Sequence, residues 1–94
     1  MRLSAREVGL IRKVLHEIAP DGRIYLFGSR VDDAKKGGDI DLFLESSIPL
    51  DMKTQLALEY RLAAMCDTKV DLLVKNPGQA NQEIYDVARQ GVLL

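Results

Sequence analysis

The chain has 94 residues, 47% apolar and 29% charged, with 13 basic side chains against 14 acidic ones and a formal net charge of -1. That length is one domain's worth, the apolar fraction excludes a disordered chain, and the balanced charge excludes a general electrostatic drive toward nucleic acid or anionic membrane. No run approaches the ~20 apolar residues that span a bilayer, no signal-peptide layout opens the chain, and the lone Cys66 allows neither an internal disulfide nor a zinc site, so a single cytoplasmic domain over residues 1–94 is expected.

Ser4 with Glu7 three residues on forms a capping box, and Val8, Ile11, Leu15 and Ile18 then recur at helical spacing, predicting a first helix that stops at Ala19-Pro20. His16 falls away from that stripe and is expected to face solvent. Arg23 to Phe27 is short, β-branched and aromatic, and runs into Gly28-Ser29, the pattern of a buried strand entering a turn. Tyr25 is expected to pack within it.

Asp39 to Leu44 alternates acid and apolar before becoming wholly apolar, which predicts a second strand. Asp51 to Cys66 contains neither Gly nor Pro, and predicts a helix of about four turns. That helix has two apolar sides, one of Met52, Leu56, Tyr60 and Ala63 and the other of Leu58, Leu62 and Met65, more than one sheet contact needs, so one side is expected to meet a partner or a second helix. Cys66 at its end reads as a small buried filler. Lys69 to Lys75 is a third strand, Ala80, Ile84, Val87 and Ala88 mark a last helix with Tyr85 bordering its stripe, and Val92 to Leu94 can add an edge strand. The order implies a small sheet covered by helices.

The charged exceptions at strand positions carry the chemistry. On a strand, residues two apart share a face, so Asp39 and Asp41 stand side by side while Ile40, Leu42 and Leu44 point the other way. Two like charges that close repel unless a hard divalent cation takes oxygen ligands from both, and Mg²⁺ characteristically combines one or two protein carboxylates with phosphate oxygens and water. Asp71 is an acid between Val70 and Leu72, where the pattern asks for an apolar residue; if its strand neighbours the second one, the three carboxylates converge on one edge of the sheet. Upstream, Gly28 lets backbone amides approach a phosphate and Ser29 adds a hydroxyl donor, a cradle for a polyphosphate tail that Arg30, Lys35 and Lys36 flank before Gly37-Gly38 returns the chain to the acidic strand.

Phe27-Gly28-Ser29-Arg30, then Gly38-Asp39-Ile40-Asp41-Leu42, and later Val70-Asp71-Leu72-Leu73 resemble the minimal nucleotidyltransferases of the DNA polymerase β superfamily, over most of the chain from about Ile24 onward. The resemblance implies an α+β domain, a small mixed sheet covered by helices, in which Gly28, Ser29 and Arg30 bind the nucleotide triphosphate. It implies that Asp39, Asp41 and Asp71 are the catalytic and Mg²⁺-binding residues, with ATP as substrate. Where many relatives have Ala-Arg-Gly, this chain has Val31-Asp32-Asp33 after Arg30. Members of the family are similar to antitoxins paired with a helical HEPN-domain toxin, some of which transfer AMP to it, so the resemblance implies such a protein partner; a homodimer or a hetero-oligomer with that partner would each use the spare apolar surface.

Three readings follow: a Mg²⁺-dependent transferase moving AMP to a hydroxyl of a partner protein, a binding module of the same fold that neutralises its partner by occlusion, and a subunit that senses ATP through its oligomeric state.

Overall fold

The capping box forms as its residues require: the Glu7 amide donates to the Ser4 hydroxyl at 3.1 Å, the Ser4 amide donates to the Glu7 carboxylate at 2.9 Å, and α1 (Ala5–Ile18) follows. This computed structural model describes residues 1–32 and 38–94. Ile11, Val14 and Leu15 are the buried face of α1, while Ile18, placed in the stripe by its spacing, ends the helix 36% exposed. His16 is not solvent-facing as expected; it is half-buried, with Nε2 3.1 Å from the carbonyl oxygen of Gly22, and ties the helix to the turn that follows it.

After α1 come β1 (Arg23–Phe27), a 3₁₀ turn over Gly28–Val31, β2 (Ile40–Glu45), α2 (Met52–Cys66), β3 (Val70–Lys75), α3 (Glu83–Arg89) and β4 (Val92–Leu93). Asp51 caps α2 by accepting from the Thr54 amide at 2.8 Å, and Asp67 ends it in the left-handed region at φ 51. The Asn76 side chain exchanges two hydrogen bonds of 2.9 Å with the backbone of Leu50, pinning the entry to α2 against the exit from β3.

The strands lie in the order β3-β2-β1-β4, with β1 antiparallel to β2 and β4, and β2 parallel to β3 through the α2 crossover. The mixed sheet expected from the resemblance is therefore present. One face carries Ile24, Leu26, Ile40, Leu42, Leu44, Val70 and Val74, and α1 and α2 close over it with Ile11, Leu15, Leu58 and Leu62. Among the described residues, the other face is only part-covered, by α3. There Phe43 is stacked between Tyr25 and Tyr85, at centroid separations of 5.9 and 5.3 Å.

That stack also sets the rotation of α3. The expected stripe of Ala80, Ile84, Val87 and Ala88 is displaced: Ile84 and Val87 are exposed, and Tyr85 and Ala88 are buried against Phe43. Ala80 precedes the helix, because Gln79 is held in the turn by its amide donating to Asn76 and its side chain donating to the Tyr85 hydroxyl at 2.7 Å.

Arg89 locks the arrangement, donating to both carboxylate oxygens of Glu45 at 2.9 and 3.1 Å with its guanidinium carbon 5.6 Å from the Phe43 ring centre. The Arg89 hydrogen bonds hold the Glu45 carboxyl below the usual carboxylate range. A lowered value means stability that is present at neutral pH and lost as pH falls through the folded-state value. Glu45→Gln should therefore lower the melting temperature at pH 7 by about 4–8 °C, corresponding to about 1 kcal/mol, with the difference from wild type shrinking toward pH 3; parallel melts across pH check this.

Candidate active site

The open part of the second face is built by three chain segments that meet at one end of the sheet. β1 delivers the chain into the Gly28–Val31 turn, and β2 and β3 begin beside it. Strand pairing sets Asp41 opposite both Phe27 and Asp71. Directly paired residues point to the same face, so the two carboxylates are neighbours. Asp39, one residue before β2, adds a third charge at the rim. All three acids expected at the site thus reach one edge of the sheet, although among the described residues no three acidic, histidine or cysteine side chains form a closed metal-holding group.

The turn lies directly on Asp41. Gly28 has φ +75, and a Cβ there would collide with the Asp41 carboxylate; Gly38 has φ +91, and a Cβ there would collide with the Ser29 hydroxyl. Both conformations are in the left-handed region that glycine tolerates, and both glycines leave space that the neighbouring polar group occupies. The cradle is thereby packed backbone against side chain, with Ser29 on one side and Asp41 beneath. Arg30 is engaged elsewhere: Nε donates to the Gly38 carbonyl at 3.1 Å and Nη1 to the Arg2 carbonyl at 2.9 Å. Lys35, Lys36 and Gly37, together with Asp33, fall outside the described residues.

Two residues without a role in the sequence reading contact the site. Lys69 places its ammonium 3.8 Å from Asp39 and 4.0 Å from Asp71, so an exposed cation bridges the outer acids. Its position two residues before Asp71, and so on the same face of the strand as it starts, is the signal that could have found it. Arg2 donates to the carbonyls of Ser29 and Asp32, both at 3.1 Å, across a chain separation that no local pattern reports.

Partial burial, then the charges of Asp71 and Asp39, then a hydrogen bond with Asp71 hold the Asp41 carboxyl above the usual carboxylate range, opposed only in part by Lys69. Two carboxylates in this relation are a donor set suited to a divalent cation that also takes phosphate oxygens. Burial likewise pushes the Cys66 thiol up, and the half-buried side chain packs against the core.

Two cavities, of about 610 and 330 Å³, run along the edge of β3 and the outer side of α2, sharing Leu56 and Glu59, and the smaller one reaches Lys69 beside the acids. Here the second apolar side of α2 stays uncovered, with Met52 64%, Leu56 57% and Tyr60 81% exposed. Glu59 accepts from the Leu72 amide at 2.8 Å and so occupies a backbone donor on the open edge of β3.

A mixed sheet with a Gly-Ser turn laid over paired strand carboxylates is the arrangement of a nucleotidyltransferase domain. Residues 11–94 match the family described as polymerase beta, nucleotidyltransferase, and the chain belongs to it. Over 50 residues it is 38% identical to the probable protein adenylyltransferase MntA of Haemophilus influenzae, a stretch covering 52% of this chain and 44% of that protein. The chain therefore aligns with less than half the length of that relative. A crystal structure of the MntA–HpeT toxin–antitoxin pair with a substituted tyrosine superposes at a TM-score of 0.73 and 27% identity, over 93% of this chain and 69% of that one. A tri-AMPylated HEPN toxin of Shewanella oneidensis in complex with an MNT antitoxin gives a TM-score of 0.68 at 28% identity, over 92% and 65% of the two chains. A toxin–antitoxin structure with AMP-PNP gives 0.62 at 33% identity, over 72% and 56%.

Because the folded state holds the Asp41 proton more tightly than the unfolded chain, this group's contribution to stability is present at acid pH and declines as pH rises above its ordinary value of 3.8. Asp41→Asn, which relieves the repulsion, should raise the melting temperature of chelator-treated protein at pH 7 by about 2–4 °C. The gain should vanish near pH 3, which thermal melts at both pH values will show.

Proposed function

We propose that this protein is a cytoplasmic, Mg²⁺-dependent adenylyltransferase that moves AMP from ATP to a hydroxyl of a helical, HEPN-type partner protein and so acts as an antitoxin. The observation that carries the reading is the Asp41 carboxylate lying against the Gly28 turn with Asp71 paired beside it. The relatives support it: one is a probable protein adenylyltransferase, and a structural neighbour is a complex with an AMPylated toxin. Asp41 and Asp71, with Asp39 at the rim, would hold the Mg²⁺, which supplies charge neutralisation at the phosphates when bound.

The chain's own groups do the rest. The turn at Gly28 and Ser29 orients the polyphosphate by backbone and hydroxyl donors, and catalysis is mainly positioning. The acceptor oxygen forms a bond to the α-phosphorus, the bond from that phosphorus to the β-bridging oxygen breaks, and pyrophosphate leaves. The acceptor's proton passes to a carboxylate, for which Asp71 is the candidate.

A second reading rests on the exposed Met52, Leu56 and Tyr60 side of α2: a module that neutralises its partner by covering it. The two separate cleanly with α-labelled ATP, Mg²⁺ and the co-purified partner. The enzyme reading expects Asp41→Asn to reduce labelling of the partner by at least ~100-fold and to lose protection of the cell. Full protection by that variant would select occlusion. Gly28→Ala, which drives a methyl into the Asp41 carboxylate, should reduce labelling comparably while the partner still co-purifies.

A further inference from the structure

Ser29, Arg30 and Asp32 present three carbonyl oxygens to one residue of the amino-terminal segment. Arg2 takes all three: its amide donates to the Arg30 carbonyl at 2.8 Å, Nη2 to Ser29 at 3.1 Å and Nε to Asp32 at 3.1 Å. Arg30 returns the contact, with Nη1 donating to the Arg2 carbonyl at 2.9 Å and Nε reaching Gly38 at 3.1 Å. Five hydrogen bonds therefore fasten the amino-terminal segment, the Gly-Ser turn and the approach to β2 to one another.

The direction of these bonds matters more than their number. In a trans peptide the carbonyl and the following N–H point opposite ways. Holding the Ser29 and Arg30 oxygens toward Arg2, at the end of the 3₁₀ turn, leaves the N–H groups at its start, those of Gly28 and Ser29, outside the i→i+3 bonds that take up the amides of Arg30 and Val31. Two successive amides turned the same way, with the repelling oxygens drawn off, make an anion-accepting concavity. The guanidinium groups of Arg2 and Arg30, donating to backbone carbonyls, add positive charge behind it.

We infer that Arg2 is a positioning residue for the triphosphate of the nucleotide: it holds the Gly28–Val31 turn in place so that the Gly28 and Ser29 amides at its start receive phosphate. This rests on the nucleotidyltransferase reading above, and assigns a function to a residue outside the Gly-Ser, Asp-x-Asp and third-Asp positions.

The test uses the full chain with its partner and compares wild type, Arg2→Ala and Arg2→Lys. Three quantities are read: affinity for a non-hydrolysable ATP analogue with Mg²⁺, KM and kcat for transfer, and amide exchange over residues 28–32. Arg2→Ala should raise both the analogue Kd and the nucleotide KM roughly tenfold, the loss expected for charge-assisted hydrogen bonds, while kcat changes less than about threefold. Exchange over 28–32 should quicken with α1 unchanged. Arg2→Lys, a point charge that does not bracket two carbonyls at once, should recover less than half of the loss. Unchanged Kd and KM in Arg2→Ala, or a fall in kcat alone, would overturn the inference and leave the nucleotidyltransferase reading standing. Wild-type protein that neither binds the analogue nor labels the partner would overturn both.

Discussion

Asp41 and Asp71 are held side by side by the parallel register of β2 and β3, and the repulsion between them is the constraint around which the rest of the site is arranged. Neither acid can turn away: each follows an apolar residue, Ile40 or Val70, that is buried in the core on the opposite face. The hydrophobic pattern thus fixes the carboxylates where their mutual charge is unfavourable. Lys69 offsets part of that charge from outside, and Gly28 leaves the volume that the Asp41 carboxylate takes up. Under the proposed reading, this unfavourable energy is what a divalent cation would relieve on binding, a form of preorganisation.

The two faces of the sheet divide the work. Helices α1 and α2 bury one face fully, which makes the sheet rigid enough to hold side chains in place. On the other face, α3 covers only the end where Tyr25, Phe43 and Glu45 meet Tyr85 and Arg89, and does not reach the Phe27–Asp41–Asp71 row. The short α3 is what limits that cover. Its seven residues reach the aromatic stack and go no further.

Local signals in the sequence were sufficient for most of the fold. The Ser4–Glu7 box, the five-residue strand ending at Gly28 and the gap-free helix after Asp51 each rest on neighbours in the chain, and each element appears within a residue or so of its expected bounds. The convergence of Asp39, Asp41 and Asp71 was legible as well, once β2 and β3 were taken as neighbours. The rotation of α3 was not, because a stacking contact with Phe43 outweighs a stripe only two turns long. Nor was the role of Arg2, whose partners lie 27 to 30 positions away. Arg30 belongs to the same class: its motif position suggests phosphate, while its hydrogen bonds go to backbone carbonyls.

The crossover between β2 and β3 also has a consequence for the order in which the protein is made. Asp41 meets Asp71 only after the chain has continued through the whole of α2 and laid β3 against β2 in parallel. Parallel pairing across a long connection is a non-local event, reached later than hairpins and helices. A chain emerging from the ribosome therefore carries its Gly-Ser turn and its Asp-x-Asp strand for the time it takes to synthesise some thirty further residues before the carboxylate pair exists. During that interval β1 and β2 can already pair as an antiparallel unit. Competence arrives in one step, with the last strand needed to place the second acid.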